Sequence, residues 1–170
     1  MGHPNTIFVT NLHDLPHYTR ELRPARLVSI IQPMFQPERP PEVAADAHLR
    51  VGVDDITEDD LGGILITEAE VRELVGFIED WQPAQGALLA HCYAGVSRST
   101  ATALIAHYLK TGDARASAAA LRSASPHAEP NRLVVSLADR VLGCGGALSA
   151  AREQMGTSDL IVEPLTTLRL

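Results

Sequence analysis

The chain has 170 residues, of which 45% are hydrophobic and 21% are charged, so it has enough apolar content for the core of one domain. Its net charge of −7 argues against a nucleic-acid-coating or membrane-surface protein, because both classes usually need a basic patch. An anionic substrate must therefore be attracted by a local site. The two cysteines, Cys92 and Cys144, are too few for a disulfide scaffold and predict a reducing, cytoplasmic setting.

Targeting signals are not expected in this sequence. The first ten residues lack a basic stretch followed by an apolar run, and no segment approaches 18 consecutive apolar residues. Met1, Gly2 and Thr6 fit the loose pattern for myristoylation. However, Pro4 and the strand-like run that starts at Ile7 leave no free arm, so we do not expect this modification.

The first half of the chain predicts strands separated by loops. Segments with the apolar runs or alternation typical of strands lie at residues 7–10, 27–31 and 48–53. Four prolines mark residues 32–43 as a loop. The third strand runs into an acidic stretch at residues 54–60. In that stretch we expect Glu58, Asp59 and Asp60 to lie in a solvated loop.

The second half predicts helices around one buried strand. A capping box of Thr67 and Glu70 begins a helix that ends near Trp81. The apolar run at residues 87–90 has no polar alternation, as in a strand buried on both faces. Three more helices are predicted at 99–110, from Asp113 to Arg122, and from Asn131 to Gly143. The tail, residues 147–170, has no clear pattern, and an extended arm packed on the body is one arrangement for it.

Strands that alternate with helices predict an α/β fold, in which helices flank a central, mainly parallel sheet of four to five strands. We find no internal repeat and no boundary of a second domain. The sequence therefore predicts a single domain over residues 1–170.

The strongest motif is the run His91-Cys92-Tyr93-Ala94-Gly95-Val96-Ser97-Arg98-Ser99, between the buried strand and the next helix. Such turns place ligands at the carboxyl edge of a parallel sheet. Gly95 permits a backbone conformation that a Cβ atom would oppose. The helix that follows adds free N–H donors and the positive end of its dipole. Together these features predict a nest for a phosphoryl group, lined by Tyr93, Ala94, Gly95, Val96, Ser97 and Arg98.

Two side chains of this loop predict covalent chemistry. The Arg98 guanidinium offers two parallel donors to two phosphoryl oxygens. The helix end and Arg98 favour the thiolate of Cys92, which could attack phosphorus and form a cysteinyl-phosphate. We expect His91 to orient the loop, pointing back toward the sheet. Ser97 or Ser99 could donate a hydrogen bond to Cys92, and Ser99 is favoured because it directly follows Arg98.

The leaving oxygen needs a proton, and a carboxylic acid on a nearby loop is the usual donor. The acidic stretch follows the third strand, so in a parallel sheet it lies on the same edge as Cys92. Asp54 and Asp55 are therefore both candidates for the general acid.

The pattern His-Cys-x5-Arg-Ser resembles the loop of the protein tyrosine phosphatase superfamily, and its Ala94–Ser99 part resembles the dual-specificity branch and its small bacterial relatives. Two other stretches are similar: Val51-Gly52-Val53-Asp54-Asp55 matches the strand before the family's acid, and Pro130-Asn131 matches the start of its C-terminal helix. The resemblance covers residues 45–142 and implies Asp55 as the general acid. It implies a protein tyrosine or dual-specificity phosphatase that needs no cofactor.

The substrate stays open between three interpretations. The first is a phosphorylated protein or peptide, carrying phosphotyrosine and with phosphoserine or phosphothreonine as extensions. The second is an inositol phosphate, phosphoinositide or RNA 5′-phosphate, which the lack of Lys or Arg between Cys92 and Arg98 disfavours. The third is a phosphate-binding module without turnover. Free phosphate or sulfate also fits the loop, and we expect neither nucleic acid nor membrane as a partner.

Other features have simpler interpretations. His13 and His17 are four residues apart, but Pro16 argues against a helix there, and we expect no metal site. A protective disulfide between Cys144 and Cys92 is a minor alternative to a helix end at Cys144. Asn131 is interpreted as a helix cap. Tyr93 either lines the mouth of the loop or packs beside it.

Overall fold

The computed structural model describes residues 2–59 and 62–170, so Asp60 and Met1 lie outside the described residues. Its sheet has five strands: β1 (Thr6–Thr10), β2 (Arg26–Ile30), β3 (His48–Val51), β4 (Leu88–His91) and β5 (Leu165–Arg169). The helices of the described residues are α1 (Leu15–Leu22), α2 (Glu68–Glu79), α3 (Arg98–Thr111), α4 (Ala114–Ala124), α5 (Arg132–Leu142) and α6 (Ala147–Gln154). None of these helices is long and apolar enough to cross a bilayer.

The strand order is β3-β2-β4-β1-β5, with β1 to β4 parallel and β5 antiparallel to β1. Thr10 and Ser29 both pair with His91, the last residue of β4. The carboxyl ends of the central strands therefore meet at one rim, where β4 turns into α3. The predicted α/β fold with a mainly parallel sheet is confirmed.

Side chains of the central strand alternate between two cores, as the pleat of a strand requires. Leu88 and Ala90 lie in the larger core, to which α2 to α6 contribute. Leu89 faces the smaller core, with Phe8 and Leu15 of α1. Burial on both faces explains why β4 shows no polar alternation in the sequence.

Helix α1 contradicts the prediction that Pro16 prevents a helix. Asp14 is its N-cap, and Pro16 lies in the first turn. Backbone N–H groups of a first turn have no partner within the helix, so a proline there loses no hydrogen bond. His13 precedes the helix and His17 lies within it.

The C-terminal tail is more structured than the sequence indicates. It contains α6 and then β5, which pairs with β1 at the edge of the sheet. Thr166 and Leu168 of β5 are buried, and their neighbours are more exposed. The hydroxyl of Thr10, at the end of β1, donates a hydrogen bond of 2.8 Å to the carbonyl of Pro164, the residue just before β5.

Candidate active site

The loop that the sequence predicts to bind phosphate, residues 92–97 (the phosphate loop), connects β4 to α3 at the carboxyl rim of the sheet. Gly95 has a φ of +73°, and an added Cβ would lie 3.0 Å from the carbonyl carbon and oxygen of Thr10. The loop is thus pressed against the end of β1, and glycine is needed both for its conformation and for this close approach.

Two carbonyl groups of the loop turn outward. Tyr93 O accepts from Leu12 N at 3.1 Å, and Val96 O accepts from Glu129 N at 2.9 Å. At the centre, Gly95 N donates to Sγ of Cys92 at 3.3 Å. A loop with outward carbonyl groups and an inward N–H group can hold an anion.

Cys92 lies at the base of the loop with 2% of its surface exposed. Its Sγ is 3.0 Å from Oγ of Ser99, in the first turn of α3. Ser97 is engaged elsewhere, since its hydroxyl donates to Asp55. Of the two serines considered from the sequence, Ser99 is therefore the one that contacts the thiol.

Arg98 is anchored through one nitrogen. Its Nη1 donates to Oε1 of Gln32 and to the carbonyl of Val53, both at 2.8 Å. Its Nε is buried and has no partner among the residues that the structure describes. An orphaned buried donor on a guanidinium is suited to an oxyanion, which can occupy the edge formed by Nε and Nη2.

His91 points away from the loop centre, into the sheet. Its Nδ1 lies 3.2 Å from the carbonyl of Cys92, and its Nε2 lies 2.7 Å from Oγ of Ser29, which is 2.7 Å from Nε2 of His48. Because a carbonyl only accepts, Nδ1 of neutral His91 carries the proton and Nε2 accepts from Ser29. Ser29 then accepts from His48.

Both histidines of this chain of hydrogen bonds are held neutral. Burial lowers the pKa of His91 to about 4, although the carbonyl of Cys92 acts in the opposite direction. Burial also lowers the pKa of His48 to about 4, with Arg50 and Arg39 nearby as further causes. The donor and acceptor assignment above is therefore stable at neutral pH.

Asp55 and Asp54 have different surroundings. Oδ1 of Asp55 accepts from the Ser97 hydroxyl at 2.6 Å and from Nδ2 of Asn131 at 2.9 Å, so this exposed carboxylate lies beside the phosphate loop. Asp54 instead accepts from Ile64 N at 2.6 Å through Oδ2. Of the two, Asp55 is the one that contacts a loop residue.

Tyr93 both lines the mouth and packs beside it. Its side chain is 53% exposed, and its ring meets the ring of Phe35 edge-on, with centroids 5.2 Å apart. Ala94 is also exposed, whereas Val96 is half-buried. The mouth of the loop therefore carries an aromatic pair and no cation between Cys92 and Arg98.

Sequence reasoning missed several residues around the loop. Gln32 anchors Arg98, Ser29 and His48 extend from His91, and Asn131 bonds Asp55 in addition to capping α5. Ser29 and His48 are polar residues within strand patterns, a signal that could have identified them.

The remaining candidates lie apart from the loop. Both cysteines are free, and Cys144 follows the far end of α5, where its thiol contacts the Tyr108 hydroxyl at 3.4 Å. Eleven helical residues, roughly 16 Å of rise, separate that end from Asn131, so a disulfide with Cys92 does not fit. No cluster of three or more potential metal ligands occurs within residues 2–59 and 62–170.

Comparisons with known proteins bear on the fold. No protein-family model matches the sequence, and no curated protein matches it significantly. Among solved structures, a point variant of human DUSP28 aligns with a TM-score of 0.63 and 23% identity, over 89% of this chain and 94% of that one. DUSP15 aligns with a TM-score of 0.64 and 22% identity, over 91% of this chain and 92% of that one. PTPMT1 in complex with PI(5)P aligns with a TM-score of 0.56 and 15% identity, over 83% of this chain and 95% of that one.

These neighbours are dual-specificity and tyrosine phosphatases. At such low identities the likeness concerns the fold alone, and that fold agrees with the sequence's resemblance to the protein tyrosine phosphatase superfamily.

Proposed function

We propose that this chain, which has the fold of the dual-specificity phosphatases, is a phosphomonoester hydrolase that works through a cysteinyl-phosphate, with residues 1–170 as one catalytic domain. The observation that carries the proposal is the buried thiol of Cys92 beside the orphaned Nε of Arg98. Sγ of Cys92 accepts a hydrogen bond from Gly95 N and lies 3.0 Å from Oγ of Ser99. These are the parts that in-line attack on a bound phosphoryl group requires.

In the first step, the Cys92 thiolate attacks phosphorus while the bond from phosphorus to the leaving oxygen breaks. The leaving oxygen keeps the electron pair and takes a proton from Asp55. The loop N–H groups and Arg98 stabilise the charge on the phosphoryl oxygens in the transition state.

In the second step, water attacks phosphorus, the bond to Sγ breaks, and the Cys92 thiolate leaves. The carboxylate of Asp55 takes the proton from water, so the enzyme returns to its starting state. Ser99, 3.0 Å from Sγ, donates a hydrogen bond to the departing thiolate. His91 holds the loop through the carbonyl of Cys92. Every proton is accounted for without a metal or cofactor.

We further propose phosphorylated proteins or peptides as substrates, with phosphotyrosine preferred, in a reducing cytoplasm. The exposed Tyr93, braced by Phe35, offers an aromatic wall to a flat aryl phosphate. The loop supplies no cation besides Arg98, which suits a single phosphoryl group better than a polyanion.

A polyanionic lipid headgroup is the second candidate, because the fold neighbour PTPMT1 was solved with PI(5)P. A panel of phosphopeptides, inositol phosphates and phosphoinositides, read by free phosphate release, separates the two. Faster release from phosphoinositides than from phosphotyrosine peptides would replace the first candidate by the second.

The decisive experiment measures aryl phosphate hydrolysis in the presence of EDTA, for the native chain and for Cys92→Ser, Arg98→Lys and Cys144→Ser. We expect activity only in the native chain and in Cys144→Ser, which is the matched control for loss of a thiol. Undiminished turnover by Cys92→Ser would refute the mechanism. Phosphopeptide binding without phosphate release by the native chain would instead favour a binding module.

A further inference from the structure

Asn131 joins three parts of the molecule. It is buried at the N-terminus of α5, and its backbone N–H donates to the carbonyl of Ser97 at 3.1 Å. Its Oδ1 accepts from Val134 N at 3.1 Å, which caps the helix. Its Nδ2 donates to Oδ1 of Asp55 at 2.9 Å and to the carbonyl of Ile56 at 3.2 Å.

The orientation of this amide follows from its partners. Val134 N can only donate, so the amide oxygen must face it, and the NH₂ group then faces the acid loop. Both hydrogens of Nδ2 have acceptors, one on the side chain of Asp55 and one on the backbone of Ile56. A serine, threonine or aspartate could cap α5 equally well, but none of them could also supply these two donors.

We propose that Asn131 is a positioning residue that holds Asp55 over the phosphate loop and assigns the catalytic proton to its Oδ2. This inference rests on the proposed function, in which Asp55 is the general acid. The geometry that carries it is the double donation to a single oxygen, since Ser97 Oγ and Asn131 Nδ2 both donate to Oδ1.

The consequence for the proton is direct. An oxygen that accepts two hydrogen bonds has little capacity left to carry a hydrogen of its own, so the acidic proton resides on Oδ2. Oδ2 then gives this proton to the leaving oxygen, and it later takes one from the attacking water. Asn131 thus acts on the reaction through Asp55 and need not touch substrate.

The test uses Asn131→Ser and Asn131→Asp, which keep a helix-capping oxygen and remove the amide donors. Asp113→Ser is the matched control, because Asp113 caps α4 through Ala116 N. Each variant is assayed for kcat/KM on aryl phosphates whose leaving groups range from good (nitrophenol) to poor (phenol and tyrosine). Asp55→Asn and the double variant Asp55→Asn/Asn131→Ser complete the set.

We expect Asn131→Ser to lower kcat/KM by about ten- to a hundredfold for poor leaving groups, and by less than about threefold for good ones, which need little protonation. Asn131→Asp should lower kcat/KM further, because it places a second carboxylate next to that of Asp55. Adding Asn131→Ser to Asp55→Asn should change nothing further. Asp113→Ser should match the native chain on all substrates.

A loss by Asn131→Ser that is equal for all leaving groups, or that persists undiminished in the Asp55→Asn background, would overturn the positioning role. If Asp55 is not the general acid, the result differs: the loss of kcat/KM caused by Asp55→Asn would then be the same for good and poor leaving groups, whatever the effect of the Asn131 variants.

Discussion

Oγ of Ser99 lies 3.0 Å from Sγ of Cys92, within the first turn of α3 and with both residues buried. A hydroxyl in this place can donate to a thiolate but has no direct path to the leaving group of the substrate. Its effect should therefore fall on the step in which the thiolate departs.

Ser99→Ala should slow hydrolysis of the cysteinyl-phosphate more than its formation. A hydrogen bond to a charged group is worth about 1.5–3 kcal/mol, so we expect kcat to fall by roughly ten- to a hundredfold. Rapid-quench kinetics should then show a burst of the first product. Ser136→Ala, on the exposed face of α5, is the control, and a Ser99→Ala enzyme without a burst would contradict this assignment.

Gly95→Ala should abolish most activity, while Gly112→Ala should keep it. Both glycines have positive φ, +73° and +79°, but only at Gly95 would a Cβ meet backbone, at Thr10. The conformational cost, about 1–2 kcal/mol, is common to both variants. The contact with Thr10 must in addition displace the phosphate loop, and we expect a fall in kcat/KM of over about a hundredfold. Equal activities of the two variants would refute this.

Stability should fall as the pH drops from about 6.5 to about 4. The folded-state pKa of His91 is about 4, below its ordinary value of 6.5, so the unfolded chain binds a proton first. Neutral His91 therefore makes its full contribution to the free energy of unfolding above pH 6.5. This contribution, on the order of 3 kcal/mol, is lost as the pH falls toward 4.

Urea titrations across this pH range measure the effect. His91→Gln should have a flatter dependence of unfolding free energy on pH than the native chain, and so should His48→Gln, whose histidine also has a pKa of about 4. Ser136→Ala, a control at an exposed residue that does not titrate, should follow the native curve. A native chain whose stability does not change between pH 6.5 and 4 would contradict the neutral histidine pair.

Tyr93→Ala should raise KM for phosphotyrosine peptides by about two- to tenfold, the range expected for an aromatic contact. Tyr93→Phe should keep the native KM, because the ring that meets Phe35 is preserved. A small alkyl phosphate, which cannot reach the aromatic wall, should show no difference among the three proteins. A rise in KM for all substrates would indicate a distorted loop instead.

Deletion of residues 165–170 should destabilise the fold and promote aggregation. It removes the buried Leu168, worth about 1.5–3 kcal/mol, and leaves β1 as an open edge strand. Urea unfolding and light scattering test this. The double variant Leu160→Ser/Ile161→Ser changes exposed residues of the same tail and should behave as the native chain does.

Local signals made much of this fold predictable. Thr67 and Glu70 form the capping box that their spacing predicts, and the apolar run of β4 lies in the centre of the sheet. The prediction that Pro16 prevents a helix was wrong, because the effect of a proline depends on its position in the helix and the sequence around Pro16 does not reveal that position. Strand β5 could not be predicted in the same way, because its pairing with β1 has no local signature.

Polar contacts between residues far apart in the sequence were also not predicted. Asn131 meets Asp55 across 76 residues of sequence, and His91 meets Ser29 across 62. The cap role of Asn131 could be predicted because the capped N–H lies three residues away. Its second partner depends on where the sheet brings the acid loop, which spacing along the chain does not encode.

The pairing of β1 with β5 also determines when this sheet can be completed during synthesis. Thr6 and Arg169 are paired and lie 163 residues apart. At about 5–20 residues per second, a ribosome needs roughly ten to thirty seconds to translate that distance. Throughout that interval the outer edge of β1 stays unpaired, and Thr10, against which the phosphate loop rests, lacks its bond to Pro164. Until β5 is translated, the nascent chain therefore exposes an unpaired strand edge that can pair with other chains.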